Sequence, residues 1–257
     1  MASTGTILIW NQIVRVLDLF SGIGGFSLGL ESAGMETVAF CEQNKFCQKI
    51  LAQHWPTLPI HSDITELNGY EYRGAIDLVC GGFPCQPFSV AGKQRGAEDD
   101  RALWPEMLRV IREVAPRWVV GENVSGIIQM ELDNVLSDLE GEGYTCWTFV
   151  LPACAVDARH RRDRVWVVAH AYGERGRSGN AERQDAADAR QPPRGERYDA
   201  AGVVGWEPEP NVGRVANGVP NRSHRIKALG NAVVPPLVAE IGRIVMEFDQ
   251  QLCQPAE

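Results

Sequence analysis

The chain has 257 residues, 44% of them hydrophobic and 23% charged, which is enough for one large domain with a substantial core. Its seven cysteines form no CxxC pair and its five histidines are scattered, which argues against a disulfide framework and against a metal site. The net charge of −8 is unevenly spread: residues 159 to 227 hold 14 Lys+Arg against 9 Asp+Glu, so a polyanion would be attracted to that segment and repelled by much of the rest.

No apolar run approaches the length of a membrane span, and MASTGTILIWNQ lacks the basic segment and longer apolar core of a secretory signal. A cytoplasmic chain with no membrane partner is the expectation. From there, short apolar runs alternate with helix-spaced stretches. RVLDLF (15–20), ETVAFCE (36–42), AIDLVCGG (75–82) and RWVVGENV (117–124) read as buried strands, with FSLGLESAG, NKFCQKILAQHW and RALWPEMLRVIREV as the helices between them. This order predicts an α/β fold with a mostly parallel sheet. YTCWTFVL (144–151) and RVWVVAH (164–170) are expected to pair as an antiparallel hairpin at the sheet edge. Residues 171 to 205 are rich in Gly, Ala, Arg and Asp and poor in large apolar side chains, so no core of their own is expected. Apolar periodicity returns at 232–248, AVVPPLVAEIGRIVMEF, predicted to be one helix whose first turn tolerates the prolines.

Four stretches carry chemistry. DLFSGIGGF runs from a strand into Gly22, Gly24 and Gly25 and then a helix, where backbone can approach a nucleoside cofactor. Glu42 closes the second strand and could accept ribose hydroxyls, and Asp63 in HSDIT could receive an adenine amino group. A glycine loop with two acids and no phosphate-binding lysine suits S-adenosylmethionine better than ATP or NAD, although such turns are often only tight turns. In GGFPCQPFS, Pro84 and Pro87 restrict the backbone around Cys85 on the same rim, so a rigidly held thiol is the reading, against an ordinary buried cysteine. GENV places Glu122 at the end of the next strand as a candidate proton donor or a helix-start acid. In HRRDR, alternation on an entering strand would send Arg162 and Arg164 to one face, to hold an oxygen-rich substrate, unless they are a surface cluster.

Taken together and in this order, PCQ, ENV, the spaced arginines and GNAVVPP resemble the DNA cytosine-5 methyltransferase family of prokaryotic or phage type, over residues 15–170 and 225–248. The resemblance implies a Rossmann-like, S-adenosylmethionine-dependent methyltransferase fold with a seven-stranded sheet. It implies Cys85 as nucleophile, Glu122 as the ENV acid, and Arg162 and Arg164 as the paired arginines. For the cofactor it implies Phe20 against adenine, Glu42 on ribose, Asp63 and Ile64 on adenine, packing from Pro84 and Leu103, and methionine-end contacts from Gly22, Gly24, Asn231 and Val233. Gln86 and Ser89 would shape the loop. His160 stands where that pattern has glutamine. The implied organisation is a catalytic domain over 1–170, a short target-recognition region over 171–222 and a C-terminal segment over 223–257 that packs back. Double-stranded DNA is the implied partner of a monomer, and a cognate restriction endonuclease is a second candidate. A transfer-RNA cytosine-5 methyltransferase, a non-catalytic DNA-binding module and a Cys-dependent acyl hydrolase are the alternatives; the last lacks a suitably placed histidine.

Overall fold

The computed structural model describes residues 13–84, 103–171 and 222–252. Seven strands form one sheet in the order β3-β2-β1-β4-β5-β7-β6. They are β1 (Arg15–Leu19), β2 (Glu36–Cys41), β3 (Ile60–His61), β4 (Leu78–Gly81), β5 (Trp118–Val124), β6 (Tyr144–Leu151) and β7 (Arg164–Ala171). β1 through β5 pair in parallel, whereas β7 runs antiparallel to both β5 and β6. The expected hairpin is therefore present, with β7 inserted inside and β6 at the edge.

Helices α1 (Gly25–Ser32), α2 (Lys45–His54) and α3 (Trp104–Val114) follow β1, β2 and β4, as their apolar spacing predicts. Asn44 starts α2 by accepting from the amides of Phe46 at 2.8 Å and Cys47 at 3.4 Å. Two helices went unread in the sequence, α4 (Ile127–Met130) and α5 (Leu132–Gly141), between β5 and β6.

Strand alternation divides the core. On one face Leu17, Leu19, Val79, Val119 and Val167 pack with α3 and α5; on the other Val16, Leu78, Val120, Trp166 and Val168 pack with α1 and the C-terminal helix. The helix predicted over 232–248 is α7 (Pro235–Leu252), and a further helix, α6 (Arg222–Asn231), precedes it. Pro235 and Pro236 lack amide donors and suit the first turn of a helix, so α7 starts at them, three residues later than expected. Residues Lys227–Leu252 are long and apolar enough to cross a membrane by composition alone, but Leu237, Val238, Ile241 and Val245 are buried in the sheet-facing core.

β1 and β4 are neighbours although β2 and β3 intervene in sequence, so the chain reverses its direction of travel across the sheet between them. The crevice outside the carboxyl ends of such strands is where α/β proteins hold ligands.

Candidate active site

A cavity of about 770 Å³ opens at that crevice. Its lining joins Phe20, Gly22, Glu42, Asp63, Ile64, Pro84, Leu103, Glu122, Arg162, Arg164, Asn231 and Val233, so residues spread over most of the sequence meet around one space. Cys85, Gln86 and Ser89, and the expected target region beyond Ala171, lie outside the described residues.

The first wall is the turn after β1. Phe20 and Gly22 both take left-handed backbone angles, with φ of 53° and 56°. Ser21 Oγ donates to Asp18 O at 2.7 Å and so braces the turn from below. Glu42, at the end of β2, accepts from Gly22 N at 2.7 Å and Asn44 N at 2.6 Å, one amide to each carboxylate oxygen. Burial pushes its carboxyl above the ordinary range, and the two amides oppose the rise. The carboxylate oxygens retain further lone pairs for hydroxyl donors. Asp63 differs: Thr65 N and Oγ1 donate to its Oδ1 at 2.9 and 2.8 Å, which holds its carboxyl below the usual range.

Gly24 is the one expected cofactor residue absent from the lining. It precedes α1 with φ of 85°, and a Cβ there would stand 2.5 Å from the Trp55 ring, so its position serves the close packing of the turn.

The second wall is the ion pair at the end of β5. Arg164 Nε lies 2.9 Å from Glu122 Oε1, with both side chains largely buried. β-Sheet register accounts for this. Glu122 pairs with Trp166, so Arg164, two residues earlier on β7, emerges on the same face diagonally beside it. Desolvation raises the Glu122 carboxyl above its normal value, against the opposing fields of Arg164 and Arg162. Asn123, facing the other way, donates through Nδ2 to Phe83 O at 2.8 Å and ties the loop that enters the Cys85 segment to β5.

Arg162 reaches the cavity by another route than alternation. β7 begins only at Arg164, and Arg162 sits before it with φ of 39°. Its Nη2 donates to Gly230 O at 2.8 Å and Ala232 O at 2.9 Å.

Sequence reasoning missed the third wall, α6. His224, Lys227, Ala228 and Gly230 line the cavity with Asn231, and the His224 ring stacks on Phe46 of α2 at 5.7 Å between centroids. The run SHRIKALGN just before GNAVVPP was available as a signal, but its charge read as part of an Arg-rich segment. Among the described residues no cluster of three or more His, Cys, Asp or Glu could hold a metal ion.

A family model described as C-5 cytosine-specific DNA methylase matches residues 14–199. The chain belongs to that family. It is similar to the Type II methyltransferase M.HgiCII of Herpetosiphon aurantiacus, 36% identical over 159 residues that make up 60% of this chain and 36% of that protein. It is also similar to the Type II methyltransferase M.AquIA of Picosynechococcus sp., 34% identical over 181 residues, or 62% of this chain and 73% of that one. The fold resembles that of the S. pombe Dnmt2 methyltransferase, with a TM-score of 0.55 at 24% identity over 65% of this chain and 53% of that chain. Against M.HgiCII and M.HhaI of Haemophilus parahaemolyticus, the C-5 methylase chain spans 36% and 48% of the relative's length.

Proposed function

We propose that the chain methylates carbon 5 of cytosine in double-stranded DNA, using S-adenosylmethionine. The observation that carries this is the buried Glu122–Arg164 pair, which faces the same cavity as Glu42 and the Phe20–Gly22 turn and lies beside the strand that leads through Pro84 to Cys85. An acid-and-arginine pair suited to a pyrimidine edge next to a nucleoside-sized space is what two substrates reacting in one cavity require.

The cavity fits the cofactor by the chemistry of its donors. Glu42 offers carboxylate lone pairs to ribose, Phe20 and Ile64 offer apolar surface, and Asp63, Pro84, Leu103, Gly22, Asn231 and Val233 complete the wall. S-adenosylmethionine supplies an electrophilic methyl group when bound.

The chain's own residues supply the rest. Because the target atoms of cytosine lie within a duplex, the base must be extruded into the cavity. The Cys85 thiolate adds to carbon 6, which breaks the ring's aromaticity and makes carbon 5 nucleophilic. Glu122, carrying a proton, donates to N3 as the adduct forms, and Arg164 holds the O2 side where negative charge grows. Once carbon 5 has been methylated it loses its proton, and the double bond re-forms as the thiolate leaves. Residues 171–222 act as the target-recognition region in this reading, a short one, and the described part of 223–252 packs on the catalytic domain through α7.

Cys85→Ser is expected to abolish product on cytosine-containing duplex DNA while retaining binding of S-adenosylhomocysteine, measured by calorimetry. Bisulfite sequencing of DNA from cells expressing the unsubstituted chain reports activity and target together. Methylation by the serine variant at the parent rate would sink the proposal, and labelled methyl appearing only in transfer RNA would redirect it to the RNA substrate.

A further inference from the structure

The two arginines that the sequence presents as a pair do different jobs. Arg164 belongs to β7 and engages Glu122. Arg162 lies in the preceding turn and spends one guanidinium nitrogen on two main-chain carbonyls of a distant segment, Gly230 O and Ala232 O. Those carbonyls sit at the end of α6, where the helical ladder stops: Ala232 N closes the last turn on Ala228 O. Carbonyls past such a point need a partner from outside the helix, and an arginine satisfies two at once.

What hangs from those carbonyls matters. The segment they belong to carries Asn231 and Val233, and α6 forms the wall of the cavity with His224 and Lys227. Among the described residues, three contacts bear on α6 and the segment that follows it. At its start His224 stacks on Phe46 of α2; at its end Arg162 holds the backbone; just beyond, Val233 lies against α1 so closely that a Cβ on Gly25 would come within 2.9 Å of it. The Arg162 turn is itself anchored, since Ala153 N donates to Arg161 O at 2.6 Å.

We infer that Arg162 is a positioning residue: it fastens the α6–α7 junction, and with it the cofactor wall, to the rim that holds the Glu122–Arg164 pair. This rests on the methyltransferase reading, and goes beyond it by giving Arg162 a role toward the cofactor rather than toward the base. Two substrates that must meet in one cavity need their two walls in fixed relation, and Arg162 is a covalent neighbour of one wall and a hydrogen-bond donor to the other.

The test separates binding from chemistry. Arg162→Ala and Arg162→Lys are compared with the unsubstituted chain for dissociation of S-adenosylhomocysteine by calorimetry, and for single-turnover methylation of duplex DNA at saturating cofactor. Loss of a charge-assisted bond to two carbonyls is expected to weaken binding about tenfold or more in the alanine variant. The saturated single-turnover rate should change much less than the affinity, because Arg164 keeps its ion pair with Glu122 and only the lesser field of Arg162 on that carboxyl is lost. Lysine, which keeps the charge and one donor direction, should recover part of the affinity. Unchanged affinity with a collapsed rate would overturn the inference and place Arg162 on the base; unchanged affinity and rate would overturn it as well. Should the alanine variant fail to fold, the lysine variant alone decides by the same split. If the unsubstituted chain binds no S-adenosylhomocysteine and methylates no nucleic acid, the methyltransferase reading fails first and takes this inference with it.

Discussion

Asp18 is wholly buried on the α1 side of β1, and its Oδ2 accepts from Ser27 N at 3.3 Å and Ser27 Oγ at 2.7 Å. Desolvation, with a smaller push from Glu42, lifts its carboxyl from 3.8 to about 7 even though the Ser27 bonds oppose the rise. A carboxyl raised on folding adds stability that is complete below the unfolded value near 4 and is lost as pH climbs through about 7. Asp18→Asn keeps an acceptor for Ser27 but does not titrate. The melting temperature of the parent should therefore fall relative to that of the variant between about pH 4 and pH 7, with parallel curves refuting the assignment. In the sequence Asp18 is one letter of DLFSG, and nothing marks it as buried beneath the helix that follows. Glu42, Glu122 and Arg164 were legible because each ends or begins a strand whose direction was readable. The strand alternation expected for Arg162 does not apply to it, since the strand starts two residues later, although its side chain does line the cavity.

Among the elements, α1 and α7 show how close packing shapes the cavity. A Cβ on Gly29 would stand 2.5 Å from Val238 Cβ and 2.6 Å from Pro235 O, and one on Gly242 would stand 2.9 Å from Ala33 Cβ. Glycine at these sites lets the two helices approach, and that approach brings Val233 to the cavity rim. Gly29→Ala is expected to cost about 1–3 kcal/mol, against the usual gain of alanine within a helix. Chemical denaturation measures this cost, and a more stable variant would show that the contact yields easily. Helix starts were easier to foresee than helix identities. Asn44 before α2 and the prolines of α7 leave local marks; α5 carries one too, the stripe Leu132, Val135, Leu136 and Leu139 that packs on the core, and it went unread, whereas the four residues of α4 are too few to show a period. α6 was hidden by its charge: its mean character is polar because one side faces the cavity rather than a core.

At the scale of the molecule, the alternation of strand and helix predicts parallel pairing but not the order of the strands, and β1, β2, β4 and β5 lie on the apolar runs whereas the two-residue β3 has none. The closing hairpin was legible as a pair, but which strand would lie inside was not, because β6 and β7 are both apolar enough for either place and only the register of β7 on β5 decides. The cavity draws on the turn after β1, the ends of β2, β4 and β5, the start of β7, and α6, so a ligand that fills it ties the whole chain together. S-adenosylhomocysteine at a hundred times its dissociation constant should add about 2.7 kcal/mol, or a rise of roughly 5–10 °C in melting temperature for a chain of this size. No shift in a thermal melt would mean that the cavity does not take this ligand.

Because β7 enters at the cavity and runs the other way from its neighbour β5, its eight residues carry the chain about 26 Å away from the reacting groups before the strand ends at Ala171. The next described residue, Arg222, opens the helix that forms the cavity wall. β7 therefore ends at the pole of the sheet opposite the cavity, whereas α6 lies at the cavity, so the two described segments on either side of residues 172–221 sit about one strand length apart.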